Sequence, residues 1–141
     1  MKPRYFFPVL LLILLIPLIP LTAQRRVQPL RTLDQLRTGH WTMFSPGGET
    51  RCGRDTAYHF YVRPADDGNT DKLMVYFQGG GACWNALTCQ TQGATFDDFV
   101  NSPPVEIGFY NGIFDFENTA NPAADYNFVF VPYCTGDVHV G

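Results

Sequence analysis

Three stretches of this chain carry the hydrophobic pattern of β-strands. Ala57 to Arg63 alternates Tyr58, Phe60 and Val62 against Ala57, His59, Tyr61 and Arg63, the period of two that a strand requires, and Pro64 ends it. Leu73 to Gln78 is rich in β-formers and reads as a buried strand. Asn127 to Pro132 is apolar at Phe128, Val129, Phe130 and Val131, on both alternating faces, as expected of a strand covered from both sides. The polar segment PADDGNTD joins the first two and is short enough for antiparallel neighbours, so the pattern predicts a hairpin. Gly79 to Tyr126 separates the second strand from the third and is long enough for a parallel crossover. The expected class is therefore α/β, with a mostly parallel sheet and an antiparallel hairpin at its start.

The intervening segments are less regular. Thr95 is placed to cap a short helix over TFDDFVN, with Asp97 and Asp98 in its first turn and Phe96, Phe99 and Val100 on one face, stopped by Pro103-Pro104. Val105 to Asp125 is aromatic and glycine-rich without periodicity, the composition of a long loop that shapes a site. Leu30, Leu33 and Leu36 allow one or two helical turns, and the folded domain is expected to begin near Trp41.

The first residues change this picture. MKPR, an apolar run from Tyr5 to Leu21 and Thr22-Ala23-Gln24 follow the order of a secretory signal, so residues 1–23 are expected to be a leader and 24–40 a linker. An uncleaved anchor facing outward is the competing reading. Removing Lys2 and Arg4 from the 10 basic residues leaves 8 against 13 acidic ones, a net charge of −5 that disfavours nucleic acid. Four cysteines, Cys52, Cys83, Cys89 and Cys134, suit disulfides in an exported chain, with three pairings open. They lack zinc-site spacing, and the acidic residues Asp97, Asp98, Asp115, Glu117 and Asp125 lack the spacing of a calcium loop, so no metal is expected.

Candidate chemistry sits at KLMVYFQGGGACWN, where the second strand runs into three glycines. A sharp turn there gathers bare backbone N–H groups, and glycine permits positive φ and close approach, which is what a developing oxyanion needs. A tight turn without a ligand is the alternative. In α/β-hydrolases one oxyanion donor comes from such a loop and the other from the residue after a serine on a strand-to-helix elbow. The elbow is missing from this sequence: its serines are Ser45 in FSPGG and Ser102 in NSPPV, and neither sits in G-x-S-x-G.

YFQGGGACWN with Cys89 close behind, GIFD at Gly112 to Asp115, NPAADYN at Asn121 to Asn127 and VFVPYCTGDVHVG up to Gly141 together resemble the pectin acetylesterase family, including its Notum-like branch. The resemblance implies that residues 41–141 are the amino-terminal part of an α/β-hydrolase domain. It also implies a secreted or periplasmic serine carboxylesterase without cofactor, acting on an acyl ester such as an acetylated polysaccharide. The family's oxyanion donors map onto Gly80 and Gly81, while its nucleophile, aspartate and histidine map onto no position of this chain, so the 141 residues alone are expected to be inactive. Trp84, Asp137 and His139 become candidates for the substrate pocket. A deacylase of a longer acyl chain and a non-catalytic secreted binding module remain as alternatives. The positions of the cysteines around the strands lead us to expect Cys83 with Cys89, closing a small loop, and Cys52 with Cys134, tying the ends of the sheet together. His59 is expected to be structural or exposed, His40 lies in a loop with no identifiable partner, and the aromatics from Phe109 to Phe116 are expected to pack in a core, line a pocket or stack on a sugar ring.

Overall fold

The computed structural model describes residues 31–90 and 95–140. Four strands form one sheet: β1 (Thr42–Phe44), β2 (Phe60–Arg63), β3 (Leu73–Phe77) and β4 (Asn127–Val131), in the order β1-β2-β4-β3. β2 runs antiparallel to β1 and to β4, and β3 runs parallel to β4. The long crossover therefore does join parallel strands, as its length requires. The sheet is mixed, with one parallel pairing beside two antiparallel ones, so the expected parallel majority is not what these strands show.

The expected hairpin is absent. β2 and β3 lie on opposite sides of β4, whose side chains are the more deeply buried. The connection between them crosses the start of β4 and is held there by the buried side chain of Asn127. Its Oδ1 accepts from the Ala65 amide at 3.0 Å, and its Nδ2 donates to the carbonyls of Asn69 at 2.7 Å and Lys72 at 2.9 Å. A buried amide that satisfies three backbone groups fixes a route that turn residues alone leave open.

Residues in register share a face, which divides the sheet into two sides. On one side Tyr61, Phe128 and Phe130 pack with Phe114 and Ala123, and Trp41, Tyr76, Phe109 and Phe116 close around them. Trp41 meets Phe114, Phe116, Phe128 and Phe130 at centroid distances of 6.3 to 6.4 Å, and Tyr76 stacks on Phe130 at 5.7 Å. The segment read as a site-shaping loop thus builds most of the core wall, through 3-10 turns at Pro104–Ile107 and Gly112–Phe114. On the other side Leu36, Phe44 and Val62 are buried under Leu33, whose 3-10 turn spans Leu33–Gln35. Cover on that side stops at Val129. Leu73, Val75 and Phe77 of β3 are 58%, 44% and 59% exposed, so this strand is an open edge and not the buried strand its composition suggests.

The helix expected after Thr95 does not form in the described residues, where 95–100 are irregular. Thr95 Oγ1 accepts from the Ala82 amide at 3.2 Å and donates to the Ala82 carbonyl at 2.9 Å, so the hydroxyl that would have capped a helix is used to hold the glycine loop. Residues 1–30, with the expected leader and the first part of the linker, lie outside the described residues. Among the described residues no helix is long and apolar enough to cross a membrane.

Candidate active site

The carboxyl ends of β3 and β4 lie side by side, and both are followed by loops, Gln78 to Cys89 and Pro132 to Val140. In α/β sheets this edge is where ligands bind. Backbone and side-chain bonds lock the two loops together. The Gln78 amide donates to Val131 O at 2.9 Å, the Cys83 amide to Gly136 O at 2.8 Å, and the Tyr133 amide to Gln78 Oε1 at 3.1 Å.

None of Gly79, Gly80 and Gly81 adopts positive φ, so the conformational freedom expected of this loop is not used. What the glycines supply is close approach. A Cβ on Gly80 would stand 2.5 Å from Tyr133 Cδ1, and one on Gly81 would overlap the backbone carbonyl of Thr95, whereas Gly79 has open space around it. The Gly80 and Gly81 amides find no acceptor among the described residues. Gly80 is exposed and Gly81 half-buried. Two adjacent donors, held in place and left free, are what oxyanion stabilisation requires.

Beside them runs a polar hollow of about 170 Å³ bounded by Gln78, Gly79, Gly80, Thr95, Asp97 and Tyr133. It shares Gln78, Asp97 and Tyr133 with a more apolar groove of about 220 Å³ that continues over Phe99, Val100, Ile107 and Pro132. Ser102 lines this groove, with its hydroxyl donating to Asn101 Oδ1 at 3.3 Å.

His139 sits across Tyr133 from the hollow, with ring centroids 4.9 Å apart, and its Nε2 lies 3.0 Å from the Gln78 carbonyl oxygen. A carbonyl only accepts, so Nε2 carries the proton. Asp137 accepts from the Thr135 hydroxyl and from the His139 amide, and the Val138 amide donates to Tyr133 Oη at 2.8 Å. Val138 and His139 both hold positive φ, 54° and 60°, which side-chain-bearing residues seldom adopt, and these bonds sustain it. Asp137 thus shapes the loop, and the His139 ring is anchored to the backbone just before the glycines. Both also line a third hollow, with Thr135, Tyr58 and Phe77. Trp84 projects into solvent, 69% exposed, on the tip closed by the Cys83–Cys89 disulfide. The second disulfide joins Cys52 to Cys134 across 82 residues of sequence. Burial pushes the Tyr58 hydroxyl up to about 12.

One pair was not foreseen. Ser45 Oγ and His59 Nδ1 are 2.8 Å apart, a serine–histidine contact between the residues that extend β1 and β2. It lies at the same end of the sheet as the glycine loop but on its far side. With strands about 4.8 Å apart, β1 is about 14 Å from β3, beyond reach of the Gly80 and Gly81 amides. Strand pairing of Phe44 with Phe60 makes Ser45 and His59 cross-strand neighbours, and that register was invisible in a sequence where β1 carried no strand pattern.

Among the described residues no group of three or more histidines, cysteines and acids is placed to hold a metal. The family model described as PAE: Pectinacetylesterase matches residues 47–141. The palmitoleoyl-protein carboxylesterase NOTUM of Schmidtea mediterranea is 29% identical over 103 residues, which are 70% of this chain and 19% of that protein. The inactive palmitoleoyl-protein carboxylesterase notum1b of Danio rerio is 29% identical over 94 residues, 64% of this chain and 65% of that protein. The chain thus spans less than two thirds of the length of both relatives. No solved structure matches.

Proposed function

The chain belongs to the pectinacetylesterase family, and from that premise we propose that it carries the oxyanion-binding part of a secreted serine carboxylesterase that removes acetyl groups from a polysaccharide such as pectin. The observation that carries this reading is the pair of amides at Gly80 and Gly81 that find no acceptor among the described residues, packed at the carboxyl edge of the sheet against Tyr133 and Thr95. In the complete enzyme an ester carbonyl lies against these donors. Attack by a serine converts its oxygen to an oxyanion, and the two N–H groups stabilise that charge more than they stabilise the neutral carbonyl. The nucleophile, its histidine and its aspartate are not among these residues. Ser45 has a histidine but lies beyond reach of the Gly80 and Gly81 amides, while Ser102 lines the groove next to the glycine hollow but contacts an amide side chain and not a base. Residues 1–23 act as the export leader, and the two disulfides suit the compartment it leads to.

Any side chain at Gly81 overlaps Thr95, so the clean test removes the N–H without adding atoms. Replacing the Gly81 amide by an ester, in the complete enzyme, is expected to lower kcat by about 10² with a smaller change in KM. An unchanged kcat would make the loop a mere turn.

A second reading, hydrolysis of a longer acyl ester, is favoured by the apolar groove over Phe99, Val100 and Ile107 that opens beside the hollow. Both named relatives are palmitoleoyl-protein carboxylesterases by name, one of them inactive. Comparing p-nitrophenyl acetate with p-nitrophenyl octanoate separates the two: preference for acetate supports the first reading, preference for octanoate the second.

A further inference from the structure

The pairing of β3 with β4 ends at Gln78 in a way that leaves one group to be held from outside the sheet. In this parallel ladder the Asn127 amide bonds the Lys72 carbonyl, and the pattern advances by two residues on each strand, so the Tyr133 amide is due at the Gln78 carbonyl. It goes instead to the side chain, Gln78 Oε1, at 3.1 Å. The carbonyl is thereby released from the ladder, and its partner among the described residues is His139 Nε2 at 3.0 Å.

That bond fixes one end of a suspended segment. Gly79, Gly80 and Gly81 have no side chains to restrict their torsions, and Gly79 has open space around it. Packing on Tyr133 and Thr95 sets how near Gly80 and Gly81 can come, but it does not set which way their N–H groups point. Hydrogen bonds at the two ends do. Downstream, Thr95 Oγ1 holds both the amide and the carbonyl of Ala82, and the Cys83 amide bonds Gly136 O. Upstream, Val131 O holds the Gln78 amide, while the peptide plane that leads into Gly79 is set through the Gln78 carbonyl, hence by His139.

The backbone is strained to bring the imidazole there. Val138 and His139 hold φ of 54° and 60°, with their amides donating to Tyr133 Oη and to Asp137 Oδ1. Such strain persists where surrounding bonds over-determine it, and it gathers at functional sites. Here it turns the ring back between Tyr133 and Phe77, at centroid distances of 4.9 and 5.5 Å, and onto Gln78. A histidine beside an esterase loop is a candidate general base, but Nε2 donates its proton to a carbonyl and has no lone pair there for a nucleophile. We propose that His139 is a positioning residue of the oxyanion loop, whose Nε2–H fixes the Gln78 carbonyl and through it the direction of the Gly80 and Gly81 amides. This role rests on the esterase reading and requires no contact between His139 and substrate.

The test is made on the complete enzyme with p-nitrophenyl acetate. His139→Phe keeps a ring against Tyr133 and Phe77 and removes the donor, whereas the amide of His139→Gln reaches the same carbonyl. The first should lower kcat about tenfold or more with KM little changed, and should weaken by a similar factor the binding of a trifluoromethyl ketone, which is held as an oxyanion adduct. The second should recover most of both losses. The amide-to-ester replacement at Gly81 separates this role from the reading beneath it. A loss of kcat there with none in His139→Phe overturns the positioning role and leaves the esterase reading standing, while no loss there overturns both. Equal losses in the two His139 variants, or a loss confined to KM, also overturn the role. One measurement needs no substitution: nitrogen–proton correlation spectra of the imidazole should place the neutral ring's proton on Nε2, and a proton on Nδ1 would remove the bond on which the role stands.

Discussion

At the scale of single residues, the glycines divide by what stands next to them. Gly79 faces open space and holds no positive φ, so Gly79→Ala should leave thermal stability within about 0.5 kcal/mol of the parent. Gly81→Ala must push a Cβ into the Thr95 backbone, which has no rotamer to yield, and should destabilise by about 1–3 kcal/mol. Thermal melts of the two variants check the contrast, and equal melting temperatures would remove close approach as the reason for the second glycine. Tyr58 gives a prediction in pH. Its folded pKa is raised, so the native state keeps the proton when the unfolded chain has lost it, and the stability this represents is present below about pH 10 and lost as pH rises towards 12. In a tyrosinate titration at 295 nm, Tyr58→Phe should remove one late transition near pH 12, and an unchanged late phase would reject the burial argument. The glycine run was legible as a backbone device from three letters in a row. Its use of space instead of positive φ was not, because Thr95 and Tyr133 come to it from 14 and 53 residues away, through strand pairing that no local pattern encodes.

At the scale of elements, alternation located β2, and runs of β-forming apolar residues located β3 and β4, to within a few residues, since both signals are local. Neither located the strands' neighbours. An Asp-Gly loop between two strand patterns has the chemistry of a hairpin, but the side chain of Asn127 holds that loop across β4, and a single buried amide outweighs the turn preference. Composition likewise could not tell an edge from a centre: LMVYF and NFVFV read alike, yet alternate residues of the first are exposed and Phe128 and Phe130 of the second are fully buried. Phe130→Ala should therefore cost about 3–5 kcal/mol, while Val75→Thr on the open face of β3 should change stability little. Chemical denaturation of both variants decides this, and similar costs would mean that β3 is covered. The disulfides can be ranked as well. By loop-closure entropy, losing Cys52–Cys134, with its sequence separation of 82, should cost about 4–5 kcal/mol, against about 2–3 for Cys83–Cys89, separated by 6. Paired alanine substitutions measured by denaturation should keep that order.

Across the whole molecule, one sheet presents two different ends. At the carboxyl end of β3 and β4, glycine amides, a polar hollow and an apolar groove meet, beside the glycine run that stands out in the sequence. At the other end an aromatic and acidic groove has no motif at all, because its residues come from β2, the stretch before β1 and the crossover, and only folding brings them together. The central claim is that this chain holds oxyanion donors but not the serine that would use them. The most direct measurement is hydrolysis of p-nitrophenyl acetate by the purified, folded 141-residue chain, alongside Ser45→Ala and Ser102→Ala. The account predicts that all three proteins release p-nitrophenol no faster than buffer. Turnover by the parent chain that disappears in either alanine variant would contradict it, because that serine would then be the nucleophile.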